Sequence, residues 1–340
     1  MGYVIDSYRP PALAVMLSKG GEGKTVVALL LSWFFALMGK NVAIIDQDAL
    51  PGITNWLSGF QVTKPQQELI ARVRRQPALY AIDRLYLRPE MGLTDFMTYD
   101  VWEGITKLNR VPRLKASRIN DVTIIERTIA AYNINEHRIG KMYLVPNAGT
   151  LDGITTQLLT NKLNSPSYDV DGALARALPI VAEAHYNNTG ERIDAFIIDC
   201  PGARDLPARL GATAASDIIF PFGAQKPALS GLLNSVEDVR LIQDELGTGY
   251  PRIHDPVINR YRDVPPDPEE PTMEAWLANV ARPQLASSGL RLNDIRIPFH
   301  RDMERASEQG ILPMEYSPLC ATVQGCYKLA TQLASAVFHD

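Results

Sequence analysis

The stretch Ala14-Val15-Met16-Leu17-Ser18-Lys19-Gly20-Gly21-Glu22-Gly23-Lys24-Thr25 constrains this chain more than any other. The apolar run Leu13 to Leu17 predicts a buried strand, and Val26 to Met38 predicts a helix. Between them lies the end of the P-loop pattern G-x-x-x-x-G-K-[ST], with Ser18 where the first glycine of that pattern would fall and an added lysine at Lys19. Glycines suit such a turn because backbone N–H groups must face phosphate oxygens at close range, where a Cβ would intrude. The following helix N-terminus adds partial positive charge at the same point. Strand, glycine loop and helix together predict a nucleotide-binding α/β fold.

The second strand is expected at Val42-Ala43-Ile44-Ile45-Asp46, apolar up to its final acid, as in strands buried on both faces of a parallel sheet. It runs into Asp46-Gln47-Asp48-Ala49-Leu50-Pro51-Gly52. Carboxylates at the carboxyl end of a strand beside a phosphate loop lie where a doubly wound sheet collects its ligands. Mg2+ and an attacking water would need them there. Ala195-Phe196-Ile197-Ile198-Asp199 repeats the pattern, with Cys200-Pro201-Gly202 after it. This is the Walker B arrangement, in which the acid holds a water of the metal shell and the Gly202 N–H can sense a γ-phosphate. Further strands are expected at Met142 to Pro146, Ile218 to Phe222, Pro256 to Arg260 and Ile295 to Pro298. Helices are expected at Gln66 to Arg75, Asp121 to Tyr132, Leu151 to Leu163, Ala173 to Tyr186, Ala228 to Glu245 and Gln324 to Phe338. Asn259, at a strand end, offers both a donor and an acceptor and so suits an adenine edge.

With 340 residues, 46% apolar and 21% charged, the chain reads as one doubly wound, mostly parallel α/β domain over 1–340 with helices on both faces. Two insertions interrupt it. From about 60 to 138 the apolar rhythm breaks, and residues 61–141 hold 14 Lys and Arg against 9 Asp and Glu, although the whole chain is at −4. Lys107, Arg110, Arg113, Lys115 and Arg118 form its densest run. Such a run is either a solvated face or a patch that neutralises DNA phosphates without reading sequence. The second insertion, about 263–290, is expected to be an acidic, proline-rich loop. Cys200, Cys320 and Cys326 lack zinc or cluster spacing and are expected to be reduced and buried. No signal peptide, helix-turn-helix domain or membrane span is expected, which points to the cytoplasm, or to the nucleoid if DNA is bound.

Lys19-Gly20-Gly21-Glu22-Gly23-Lys24-Thr25 resembles the deviant Walker A motif of the ParA/MinD family of P-loop ATPases, marked by the lysine at position 19. The resemblance extends in order through Ile44 to Gly52, Tyr143 to Asn147, Ile197 to Gly202, Ala214 to Pro221 and Ile297 to His300, and it leans to the ParA-type partition branch. It implies ATP and Mg2+ as cofactors. Gly20, Gly21, Glu22, Gly23, Lys24, Thr25 and Val26 would bind nucleotide, Lys24 contacting the β- and γ-phosphates and Thr25 ligating Mg2+. Asp46 and Asp199 would support the metal shell, and Asp48 would orient the water. Asn259 and Pro298 would face adenine. Lys19 would reach the nucleotide of a second subunit, making the ATP-bound homodimer the active state. Implied partners are nonspecific DNA and a small centromere-binding or cargo adaptor protein that stimulates hydrolysis, with no stable membrane association. Val26 stands where the family usually has a second hydroxyl, a change that removes one hydrogen bond worth about 1 kcal/mol. Arg296 and Arg301 are the nearest counterparts of the family's C-terminal DNA contacts. A membrane-cycling MinD-like ATPase and a small-molecule P-loop enzyme are the alternative functions.

Overall fold

The computed structural model describes residues 9–48, 52–53, 56, 127, 130–135, 139–145, 158–160, 162–261, 272–308 and 312–338. Strand β1 (Ala12–Val15) leads through the glycine loop into helix α1 (Lys24–Leu37). There follow β2 (Val42–Asp46), β3 (Met142–Val145), α2 (Ala173–Thr189), β4 (Ala195–Asp199), α3 (Leu206–Ala214), β5 (Asp217–Ile219), β6 (Pro221–Phe222) and α4 (Lys226–Leu246). The rest of the chain forms β7 (Arg252–Ile253), β8 (Val257–Tyr261), α5 (Met273–Trp276), α6 (Arg282–Ser287), β9 (Arg296–Pro298), α7 (Arg301–Glu308), α8 (Pro313–Tyr316) and α9 (Ala321–Phe338).

Among the described residues six strands pair in the order β3-β2-β4-β1-β5-β7, and a second sheet runs β6-β8-β9. All the pairs are parallel. Only Phe220 separates β5 from β6, so one extended segment passes from the first sheet to the second. Parallel neighbours cannot be joined by tight turns, and the intervening helices cover both faces. Side chains alternate accordingly. Ala12, Ala14, Ala43, Ile45, Phe196 and Ile198 face a core shared with α2, α3 and α4. Leu13, Val15, Val42, Ile44 and Ile197 face the opposite core, shared with α1 and α9. The doubly wound α/β architecture expected from the strand pattern is thus present.

Helix α1 is apolar nearly all round because it is enclosed on several sides. Phe34 lies edge-on to Tyr132 at 5.1 Å and tilted against Tyr327 of α9 at 5.2 Å, while Phe35 meets Phe338 at 5.0 Å. Where the sequence predicts loop up to residue 290, the chain is helical from α5 through a π-helical turn (Leu277–Ala281) into α6. Thr272 caps the start, its hydroxyl accepting from the Ala275 N–H, and Leu277, Ala281 and Leu285 recur every fourth residue to form the buried stripe. The prolines that suggested loop all precede Thr272, outside the described residues, as does nearly all of the basic 60–138 segment, including Lys107, Arg110, Arg113, Lys115 and Arg118.

Candidate functional site

The site forms where β1, β2 and β4 end. Asp46 and Asp199 are direct register partners, and Val15 pairs with Asp199 on the other side. Beyond the strands the backbone stays coupled, with Gln47 N–H donating to the Asp199 carbonyl (3.1 Å) and Cys200 N–H to that of Val15 (3.1 Å). The loop after β1 turns back through Gly21 and Gly23, both at φ 77°, a left-handed conformation that glycine adopts without steric cost. Gly202 is glycine for a different reason. A Cβ there would lie 2.9 Å from the Gly20 nitrogen, so the Walker B loop rests directly on the phosphate loop.

Lys24, the first residue of α1, is almost fully buried, and its Nζ donates to the Lys19 carbonyl at 3.0 Å. Burial pulls its pKa down, while the negative charges of Asp199 and Asp48 oppose that shift. Asp199 is completely buried, and its pKa is pushed well up, first by burial and then by the neighbouring Asp46, with the Thr25 hydroxyl and Lys24 pulling the other way. Among the described residues neither Asp199 oxygen finds a hydrogen bond of normal geometry. The fold therefore brings Lys24, Thr25, Asp46, Asp48 and Asp199 into one electrostatic cluster, the grouping expected from the sequence.

These residues fit a hard divalent cation. They offer carboxylate and hydroxyl oxygens, and Asp199 is a buried acid whose charged form lacks enough compensation from the protein. Among the described residues no three His, Cys, Asp or Glu side chains converge to chelate an ion by themselves. Mg2+ is usually bound through one or two carboxylates together with the phosphates of a substrate, and Asp46 and Asp199 offer that number.

Three contacts at the site were not legible in the sequence. The first is Ser18, which departs from the P-loop pattern. Its Oγ donates to the Gly231 carbonyl of α4 at 2.8 Å, its N–H donates to Ser235 Oγ at 2.9 Å, and the two hydroxyls lie 3.1 Å apart. The side chain that a glycine would lack therefore fastens the loop to α4. The second is Arg260, which stands in the left-handed region at φ 57°, donates to the Gly21 carbonyl at 2.7 Å and lies over the Phe299 ring at 5.3 Å. The third is Glu22, which pairs with Lys19 at 2.5 Å and accepts the Gly223 N–H at 2.8 Å.

Asn259 is placed at the site, but its amide is engaged with the protein. Its Nδ2 donates to the Glu22 carbonyl at 2.6 Å, and its Oδ1 accepts the Arg260 N–H at 2.9 Å. Gly23, already at φ 77°, packs closely beside it, and a Cβ there would lie 2.6 Å from Asn259 Nδ2 and displace that amide. Pro298 is half-buried at the end of β9, and its carbonyl accepts from Thr322 at 2.5 Å. Val26 is half-buried in the first turn of α1. Arg301 is exposed at the start of α7. Arg296 is not an open DNA-facing cation. It donates to the Asn293 carbonyl at 2.5 Å, lies 3.7 Å from Glu274 and is largely covered.

The profile of the AAA domain family (AAA_31) matches residues 11–249. The chain is 22% identical over 323 residues to the chromosome-partitioning ATPase Soj of Treponema pallidum, covering 95% of this chain and 96% of that protein. Its fold is similar to that of Cyanothece McdA in complex with ATP, with a TM-score of 0.64 and 16% identity, covering 96% of this chain and 97% of that one. It is also similar to cobyrinic acid a,c-diamide synthase of Mycobacterium smegmatis with a bound ATP analogue and magnesium, with a TM-score of 0.60 and 18% identity, covering 96% and 94%. The chain belongs to the AAA domain family so matched and, within P-loop ATPases, to the ParA/MinD family.

Proposed function

We propose that this ParA/MinD-family chain is a Mg2+-dependent ATPase that dimerises on binding ATP and uses the dimer to segregate DNA or position a cargo over nonspecifically bound DNA. The observation that carries the reading is the division of labour between two lysines of one loop. Lys24 is buried against Asp199 and Asp48, where a nucleotide's phosphates need a cation, whereas Lys19 sits at the rim with 29% of its side chain exposed. Lys24 already serves the loop's own nucleotide, which leaves Lys19, paired with Glu22 at the rim, for a second one. The partitioning role named for Soj supports the ParA side of the family.

In this reading the amides of Gly20, Gly21 and Gly23 cradle phosphate oxygens, Lys24 neutralises the β- and γ-phosphates, and Thr25 offers its hydroxyl to Mg2+. Bound Mg2+ supplies charge neutralisation on the transferred phosphoryl group. Asp46 and Asp199 would help hold the ion, and Asp48 would orient the attacking water. Gly202, resting on Gly20, reports the γ-phosphate to the Walker B loop. Positioning and charge carry such chemistry more than a strong base does.

The membrane-cycling alternative has less support. In α9 the apolar residues Leu329, Leu333 and Val337 are buried against α1, and the last turn carries no basic residue, so this face is not available to a bilayer. Among the described residues no helix is long and apolar enough to cross a membrane. The test is co-sedimentation with DNA over a salt series, with and without ATP, beside anionic liposomes. The proposal expects ATP-dependent, salt-sensitive binding to DNA. ATP-dependent binding to liposomes instead would favour the MinD-like function, and turnover with neither would favour a small-molecule enzyme.

A further inference from the structure

Glu22 lies between glycines of a loop built to receive phosphate, an unfavourable place for a buried carboxylate. Its side chain is 7% exposed and its charge is compensated at both oxygens, by the Lys19 ammonium at 2.5 Å and by the Gly223 N–H at 2.8 Å. The second anchor is built in. A Cβ on Gly223 would lie 2.6 Å from Glu22 Oε2, so only glycine allows that approach. The backbone is fixed as well, because the Glu22 carbonyl accepts from Asn259 and the Gly21 carbonyl from Arg260. Lys24 also feels the Glu22 charge, so this carboxylate belongs to the electrostatics of the site.

We propose that Glu22 is an intramolecular tether that holds Lys19 within its own subunit and thereby sets the ATP concentration at which two subunits pair. It acts as a positioning residue, through Lys19. When Lys19 leaves for a partner's nucleotide, Glu22 loses the ammonium paired with it while remaining buried and anchored, and its negative charge then faces incoming phosphate. Glu22 is the buried member of the pair, so moving Lys19 away leaves a buried charge behind, which is costly. The tether follows from the geometry alone, whereas the threshold for pairing rests on the dimerising-switch reading above.

The test uses the full chain. Lys19 reactivity toward a small acylating reagent is quantified by mass spectrometry, without nucleotide, in the wild type, Glu22→Gln and Glu22→Ala. Circular dichroism melts accompany each variant, and two substitutions guard against the loss of fold in one. Gln keeps an acceptor for Gly223 and removes only the charge. The tether predicts severalfold higher labelling of Lys19 in both variants. Sedimentation velocity across an ATP series then predicts that Glu22→Gln lowers the dimerisation midpoint by about tenfold, at the low end for close charge pairs. In a Lys19→Ala background, where no ATP dimer is expected, Glu22→Gln should not restore one. Unchanged labelling overturns the tether itself. Raised labelling with an unmoved midpoint, or an ATP dimer restored by Glu22→Gln in the Lys19→Ala background, overturns the threshold. Raised labelling with no ATP-driven dimer in any variant overturns the threshold together with the dimerising-switch reading.

Discussion

Asp46 and Asp199 stand side by side, in register at the carboxyl ends of adjacent parallel strands, and both are fully buried. Two acids so placed repel one another, and the raised pKa of Asp199 reflects its burial first and Asp46 second. The site therefore holds charge that its protein surroundings do not fully compensate, as functional sites often do. Asp199→Asn keeps the side-chain volume and removes one of the charges. Its thermal unfolding midpoint should rise by about 1–2 °C, the shift for roughly 1 kcal/mol in a chain of this size, while ATP turnover is lost. A lower midpoint in calorimetry would mean that Asp199 contributes to the stability of the fold.

Gly202→Ala should damage the phosphate loop from outside it. The added methyl would meet the Gly20 backbone, which cannot move aside as a flexible side chain would. An overpacking cost of about 1–3 kcal/mol is expected, appearing as roughly tenfold or greater weakening of nucleotide affinity in a fluorescent ATP-analogue titration. Wild-type affinity in this variant would show that the two loops separate before nucleotide binds.

Ser18→Gly restores the residue expected of a P-loop and should nevertheless destabilise the protein. It removes the hydroxyl bonded to the Gly231 carbonyl and to Ser235 and adds chain entropy to the unfolded state. Denaturant unfolding should show a loss of about 1–2 kcal/mol. A gain would identify Ser18 as a tolerated departure with no fastening role.

A pH effect is expected far from the nucleotide, at the start of β5. Asp217 is fully buried and receives Ser216 Oγ at 2.8 Å, Arg252 at 2.9 Å and His254 Nε2 at 2.7 Å. Burial by itself would raise its pKa, but the bonds from His254, Arg252 and Ser216 outweigh burial and hold it below the usual carboxylate value. A carboxyl group whose folded pKa is depressed contributes stability above its unfolded value, about 3.9, and that stability is lost as pH falls through the folded value. Asp217→Asn should cost about 1–3 kcal/mol at pH 7 and flatten the decline in stability below about pH 4. Urea melts at pH 7 and pH 3 check both, and equal sensitivity to acid in the two proteins would remove Asp217 from the account.

The parts of the fold that were legible are those whose local chemistry admits one outcome. Val42 to Asp46 and Ala195 to Asp199 could be read because strands buried on both faces are continuous apolar runs, and the acids that end them mark the edge of the core. Helix α3 was missed. Its sequence, Leu206 to Ala214, is made of small residues with weak periodicity, and its clearest signal was Asp205, which caps it by accepting the Ala208 N–H. The edge strand β7 is two residues long, and its pairing with β5 comes from tertiary packing. Cluster membership of Lys24, Thr25, Asp46, Asp48 and Asp199 followed from motif order. The contacts of Ser18, Glu22 and Arg260 depend on which distant backbone atoms face the loop, and no short-range pattern encodes that.

The account depends most on Lys19 acting beyond its own subunit, and sedimentation velocity with and without ATP tests this directly in the wild type, Lys19→Ala and Asp48→Ala. The expected result is an ATP-dependent dimer in the wild type, loss of that dimer with retained nucleotide binding in Lys19→Ala, and a persistent ATP dimer without turnover in Asp48→Ala. A Lys19→Ala protein that dimerises and hydrolyses ATP like the wild type would contradict the central claim.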